Sequence, residues 1–222
     1  MNMELFRSAF VAWAANGREA AAAATAAREL AKAARLREVV LVEGRSDRAA
    51  VEALAPRLGR DLGAEGVCVV AMGGATSIGR FLDLLGPRGI DAEPAGLCDA
   101  AEEAFFRRAL ERAGRGPHPD RAALERGGFQ VCVADLEDEL IRALGAGAVE
   151  EVFAAQGDLR SFRTFQKQPA QRERGVEGQI GRFLGTIRGR KIHYGRALVE
   201  ALDPGAAPRP LLRLLAGVGP AA

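Results

Sequence analysis

The stretch VVLVEGRSD, Val39 to Asp47, decides how this chain folds. Its first residues form a continuous apolar run of strand length, which ends abruptly on Glu43 and is followed by Gly44. Beyond it, Arg48–Leu58 has helical spacing, with Ala50, Val51, Ala53 and Leu54 on or near one face. A strand with no polar alternation is buried on both faces, the pattern of a parallel sheet covered by helices. Such a strand has no structural need to end on a carboxylate, still less with a second acid, Asp47, four residues later.

The same unit repeats downstream. Val67–Met72 (VCVVAM) is a second strand, followed by the loop GGATS and a helix over Ile78–Leu85 that Gly86 and Pro87 stop. Ala95–Cys98 is a short third strand ending at Asp99, and Glu102–Ala113 is the next helix. Phe129–Ala134 (FQVCVA) is the fourth strand. The order β-α-β-α-β-α-β predicts an α/β fold with a mostly parallel four-stranded sheet flanked by helices. Helices are expected over residues 4–14 and 18–36, and only helices after Leu136, at about 137–145, 148–156, 160–168, 176–185, 191–202 and 209–216. The organisation expected is therefore N-terminal helices in 1–36, an α/β core in 37–146 and a C-terminal helical region in 147–222.

The totals bound the class. With 222 residues, 48% of them hydrophobic, the chain can bury a sizeable core. No apolar run is long enough to span a bilayer. Arg7, Glu19 and Arg28 interrupt the N-terminus where a signal peptide would be apolar, so a cytoplasmic protein without membrane contact is expected. Cys68, Cys98 and Cys132 sit singly in apolar, strand-like runs, which fits buried small hydrophobes rather than zinc ligands or disulfides. The net charge of +2 is unevenly spread: Arg160 to Arg196 holds ten Lys or Arg and two Glu, leaving about −6 for the rest. This is either a basic surface beside an acidic site or a solvated helical face.

Open α/β sheets place ligands at the carboxyl ends of their strands, and the acids fall there. Glu43 ends the first strand and Asp47 opens the next helix; Asp99 ends the third strand, with Glu102 and Glu103 after it; DLEDE, Asp135 to Glu139, follows the fourth. Taken one at a time, Asp47, Glu102 and Glu137 could serve only a helix N-terminus, and Ser46 only a cap. Taken together, carboxylates converging from three strand ends need a cation, and an all-oxygen donor set suits Mg²⁺ or Mn²⁺.

VVLVEGRSDRAAVEAL, VVAMGGATSIGRFLDLL and AGLCDAAEE together resemble a Toprim domain, a Rossmann-like fold. They are most similar to the Toprim nuclease domain of the overcoming-lysogenization-defect (OLD) family. There, a Glu-Gly-x-x-Asp motif matches Glu43, Gly44 and Asp47, a later Leu-Glu pair matches Leu136 and Glu137, and a lysine near the start of a late helix is similar in placement to Lys191. The resemblance covers about residues 36–145 well and the later helices loosely. It implies a divalent-metal-dependent nuclease, with one metal activating water and another stabilising the leaving oxygen. Glu43, Asp47, Asp99, Glu102 and Glu137 would be metal ligands, and Glu43 and Lys191 would be catalytic. Two departures stand out. The family's Asp-x-Asp motif is incomplete, since Ala101 follows Asp99 and Ala100, and Glu102 is the candidate to replace the missing carboxylate. The family's ATPase is not expected in this chain either, since no Gly-x-x-x-x-Gly-Lys-Ser/Thr occurs and GGATSIGR has the glycines of a phosphate loop but no lysine at the required place.

Arg163, Lys167, Arg188 and Arg190 are the candidate nucleic-acid contacts, the first two within SFRTFQKQPAQRER, Ser161 to Arg174. That stretch reads equally as a helix with Phe162 and Phe165 in the core. Gly73 and Gly74 read either as an anion-holding loop or as a tight turn. The expected partner is nucleic acid, DNA before RNA, with a homodimer and a separate ATPase partner both compatible with the reading. The alternative function is a non-catalytic nucleic-acid-binding module, or a regulatory subunit of a partner ATPase or nuclease.

Overall fold

A computed structural model describes residues 2–187 and 189–219. Two N-terminal helices, α1 (Asn2–Ala14) and α2 (Ala20–Ala33), precede the sheet. The core then alternates β1 (Glu38–Val42), α3 (Arg45–Arg57), β2 (Val67–Ala71), α4 (Ile78–Leu85), β3 (Glu93–Asp99), α5 (Glu103–Arg112), α6 (Arg121–Arg126) and β4 (Phe129–Cys132). Six helices follow: α7 (Leu136–Leu144), α8 (Ala146–Ala155), α9 (Leu159–Gln166), α10 (Val176–Leu184), α11 (Arg190–Ala201) and α12 (Arg209–Gly217).

All three strand pairings are parallel, in the order β2-β1-β3-β4. Successive strand residues point to opposite faces, so the unbroken apolar runs feed two cores. Val40, Val42, Val67, Val69, Ala95 and Leu97 pack with α3 and the C-terminal helices α7 to α12. Val39, Leu41, Cys68, Val70, Phe129 and Val131 pack with α1, α2, α4 and α5. The helices of 147–222 therefore share one continuous core with α3 and the sheet.

β1 and β2 end one residue earlier than expected, at Val42 and Ala71, and the other two strands differ more. β3 is longer, because pairing with both β1 and β4 extends it from Glu93 through Asp99. β4 is shorter: it ends at Cys132, and the Val133 amide turns away from the ladder to donate to Glu139 Oε1 at 2.8 Å. Val133 and Ala134 are exposed and form the turn into α7.

The strand order creates the site. From β1 the chain moves to β2 on one side, then crosses back to β3 on the other. Beyond the carboxyl ends of β1 and β3 the connections diverge and leave a crevice. Leu41 pairs with Gly96, which sets Glu43 and Asp99 almost level at that edge.

Candidate metal centre

Each acid at the edge is placed by a separate backbone device. Glu43 is the first residue after β1, and its carbonyl accepts hydrogen bonds from the amides of Gly73 at 3.0 Å and Gly74 at 3.2 Å. Both glycines have positive φ, 77° and 131°, which lets the loop after β2 fold onto the end of β1. Their amides are thus spent on fixing Glu43, and the loop is a tight turn rather than an anion cradle.

Asp47 sits in the first turn of α3, whose N-cap is Gly44 rather than Ser46. Its Oδ2 accepts from the Gly44 amide at 2.7 Å, and this ties the acid to the strand end. Asp135 caps α7, its Oδ1 accepting from the Asp138 amide at 2.7 Å. In each case one carboxylate oxygen is committed to the cap and the other is not. Asp99 closes β3 opposite Cys132, and Glu102 is the N-cap residue of α5.

Glu43, Asp99 and Glu102 each bring one carboxylate oxygen within 4.8 Å of the other two, a group able to hold a metal ion. A cleft of about 320 Å³ is lined by Glu43, Asp47, Asp99, Asp135, Glu137 and Lys191. Glu137 lies on the buried side of α7, only 6% exposed, and its Oε1 is 3.5 Å from Lys191 Nζ. Lys191 arrives from the first turn of α11, 43% exposed, so the ammonium can turn towards the cleft. The late helix is carried there by Gly195, one turn further on. A Cβ at Gly195 would lie 2.7 Å from the Ser46 carbonyl oxygen, so α11 rests directly on the backbone of α3.

The charges in the cleft are mutually unfavourable. Burial, opposed by the Gly44 hydrogen bond and reinforced by Glu137 and Glu43, pushes Asp47 up to about 7. Burial, then Glu43, Asp135, Asp47 and Glu102, push Asp99 up to about 7. Glu102 is raised by burial and by Glu43. One buried carboxylate oxygen, Glu102 Oε2, has no hydrogen-bond partner, while Glu137 Oε1 faces the Lys191 ammonium at 3.5 Å. An unsatisfied oxygen and acids held away from their ordinary ionisation fit a divalent cation, and the all-oxygen donor set fits Mg²⁺ or Mn²⁺.

Asp99 holds its proton more tightly when folded than when unfolded. Its contribution to the metal-free protein is therefore full below its ordinary value of 3.8 and is lost as pH rises through about 7. Asparagine mimics the protonated acid. Asp99→Asn should melt close to wild type below about pH 4 and increasingly above it as pH rises to about 7, with EDTA throughout. A stability difference that does not change with pH would contradict this electrostatic account.

The other candidates lie elsewhere. The Arg190 side chain is turned inward and is 8% exposed. It stacks 4.1 Å from the centre of the Phe183 ring and pairs with Asp158 at 3.5 Å, while Tyr194 donates to the other Asp158 oxygen at 3.0 Å. Arg190 therefore anchors α11. Arg163 is bound through both guanidinium nitrogens to Glu150, and Lys167 is exposed at the end of α9. Arg188 lies outside the described residues. Asp135, not singled out from the sequence, is a cleft residue; its signal was its place as the first acid after β4. The three cysteines are free and buried, and burial raises their thiols. Among the described residues no helix is long and apolar enough to cross a membrane.

A parallel sheet in this order, with acids gathered where β1 and β3 diverge, has the α/β architecture of a Toprim fold. Residues 36–100 match the family model described as the overcoming lysogenization defect protein-like TOPRIM domain. The fold matches the C-terminal region of the Xanthomonas campestris pv. campestris OLD protein with a TM-score of 0.61 at 25% identity, covering 81% of this chain and 93% of that one. It matches the C-terminal region of the Burkholderia pseudomallei OLD protein with a TM-score of 0.62 at 20% identity, covering 81% and 95%. No curated protein matches the chain. Residues 36–100 thus match an OLD-like Toprim domain, and the fold of the chain is similar to that of the C-terminal region of OLD proteins.

Proposed function

We propose that the protein is a Mg²⁺- or Mn²⁺-dependent nuclease that hydrolyses phosphodiester bonds, in DNA before RNA. The observation that carries this reading is the meeting of Glu43, Asp99 and Glu102 at one point, with Lys191 lining the same cleft. The three carboxylates would hold the ion, and Asp47 and Asp135 each have an oxygen left over from capping to add to that donor set. A bound divalent ion supplies Lewis-acid polarisation of a phosphoryl oxygen. The protein's own contribution is positioning and charge. The strand ends fix the acids, and Lys191 offsets the negative charge that builds on the phosphate during attack by water. Glu137 holds Lys191 at the cleft by its ion pair.

Ala101 stands where the family's second Asp would be, which favours a second reading as a binding module without turnover. The position of Glu102 weighs against it, since this residue returns a carboxylate to the group from one position further along. The deciding experiment incubates the protein with supercoiled plasmid, single-stranded DNA and RNA, in Mg²⁺, Mn²⁺ or EDTA. The expected result is cutting that needs the ion. Binding to the same substrates with no cutting in either metal would sink the nuclease reading and leave the binding module.

A further inference from the structure

Asp135 reaches the acidic cleft through a turn of two exposed residues. β4 stays in the sheet through Cys132, whose carbonyl accepts from the Ala100 amide at 2.9 Å. Val133 and Ala134 follow, both exposed, Val133 to 63%. A strand advances about 3.3 Å per residue, so a continued β4 would carry Asp135 about 10 Å beyond Cys132 and its partner Asp99. Instead Asp135 lines the cleft, and its charge is felt at Asp99. With its side chains in solvent, the turn is set by hydrogen bonds rather than by packing, and those bonds converge on one residue.

That residue is Glu139, an acid of DLEDE that lies outside the cleft. Its side chain is 11% exposed, and its Oε1 accepts from the Val133 amide at 2.8 Å. Its own amide donates to the Asp135 carbonyl at 3.2 Å. Glu139 thus grips the turn twice, at Val133 through its side chain and at Asp135 through its backbone. The ordinary reciprocal cap joins the N-cap residue to the third residue of the helix. In α7 the third residue, Asp138, gives its amide to Asp135 Oδ1, while the fourth, Glu139, reaches back two residues beyond the cap. An acid serving only the helix dipole needs no such reach. Arg142 steadies this arrangement, with Nε 2.7 Å from Asp138 Oδ2 and Nη2 3.2 Å from Glu139 Oε1. The acids of DLEDE divide accordingly: Asp135 and Glu137 line the cleft, and Asp138 and Glu139 clamp the turn that delivers Asp135.

We propose that Glu139 is a positioning residue for the metal centre: by accepting from the Val133 amide, it holds the turn that sets the free oxygen of Asp135 at the ion bound by Glu43, Asp99 and Glu102. The inference rests on the metal reading of that site. The centre then needs the acceptor of Glu139 rather than its charge, and Glu139 acts on ion affinity only through Asp135.

The test reads binding of the ion itself. Mn²⁺ affinity is measured by calorimetry on the full chain, without nucleic acid, for wild type, Glu139→Ala, Glu139→Gln, Asp135→Asn and the double variant Asp135→Asn with Glu139→Ala. Asparagine caps a helix as well as aspartate does, so Asp135→Asn removes the donor charge and keeps the turn. Glu139→Ala should weaken Mn²⁺ binding about tenfold, the usual cost of losing a group that orients a metal ligand. Asp135→Asn should weaken it at least as much. Glu139→Gln keeps the acceptor, gives up only a partly exposed ion pair, and should stay within about threefold of wild type. The double variant should bind no more weakly than Asp135→Asn, because the two residues act as one unit. Amide exchange at Val133 should be slow in wild type and Glu139→Gln and fast in Glu139→Ala. Thermal melts show that each variant is folded; should Glu139→Ala not fold, Glu139→Leu, of similar size to the native side chain, is read in its place. Wild-type affinity in Glu139→Ala, an equal further loss in the Asp135→Asn background, or binding by Glu139→Gln as weak as by Glu139→Ala overturns the positioning role. The outcome is separable from that of the nuclease reading. The predicted losses in a protein that never cuts support the positioning role alone; ion-dependent cutting with undiminished Mn²⁺ affinity in Glu139→Ala supports the nuclease alone. No Mn²⁺ binding by wild type overturns both.

Discussion

Replacing Asp99 by Asn, or Glu43 by Gln, is expected to lower metal-dependent cleavage by about 10²–10³-fold, the loss of several kcal/mol of charge stabilisation. The metal-free variants should be no less stable than wild type. In wild type these acids face one another across less than 4.8 Å with Glu102, and removing one charge relieves repulsion. Added Mg²⁺ should raise the melting temperature of wild type, because an ion bound only by the folded state stabilises it by mass action. The same addition should leave both variants nearly unmoved. Cleavage and metal-induced stabilisation are thus predicted to fall together, while metal-free stability does not fall. Wild-type cleavage rates in the double variant would remove Glu43 and Asp99 from the site altogether.

Gly195→Ala should cost both stability and activity, although Gly195 touches neither the cleft nor any proposed substrate. In an open helix this change stabilises by about 1 kcal/mol. Here the added Cβ would lie 2.7 Å from the Ser46 carbonyl oxygen and 3.3 Å from its carbon. These are backbone atoms at the start of α3 and cannot swing aside, so α11 has to move. Overpacking of this kind costs about 1–3 kcal/mol, more than the propensity gain, and the net sign is destabilising. Lys191 is one helical turn from Gly195 on the same face and moves with it. A displacement of about 1 Å at a charge-stabilising group is enough for a 10²-fold loss of rate. Gly181→Ala in α10, with open space around it, is the stability control and should melt slightly higher than wild type. Equal melting temperatures for Gly195→Ala and Gly181→Ala would show that the α3–α11 contact is not tight.

The sheet was legible because its residues are. Val39–Val42 and Val67–Val70 are apolar without interruption, and only a strand covered on both faces tolerates that. Glu43 and Asp99 were legible for the complementary reason, being acids where a buried run stops. Boundaries set by hydrogen bonding were not. Glu93 and Pro94 belong to β3 because β1 lies beside them, and Val133 leaves β4 because Glu139 takes its amide. Side-chain commitments were equally hidden. Arg190 and Arg163 have the composition of a nucleic-acid contact, but partners distant in sequence, Asp158 and Glu150, hold them. Gly73 and Gly74 have the composition of an anion loop, but their amides hold Glu43.

By itself the sequence determined the parallel α/β architecture and the edge at which its acids gather, since hydrophobic period and strand-end chemistry are local properties. Only the tertiary structure decided which acids meet. Asp135 joins the cleft because it follows β4, which pairs with β3, and Glu102 meets Glu43 and Asp99 because its side chain comes to lie against Glu43. The tertiary structure also brought Lys191 across the sequence to Glu137. Those outcomes depend on helix crossings as close as Gly195 on Ser46, which no local pattern encodes.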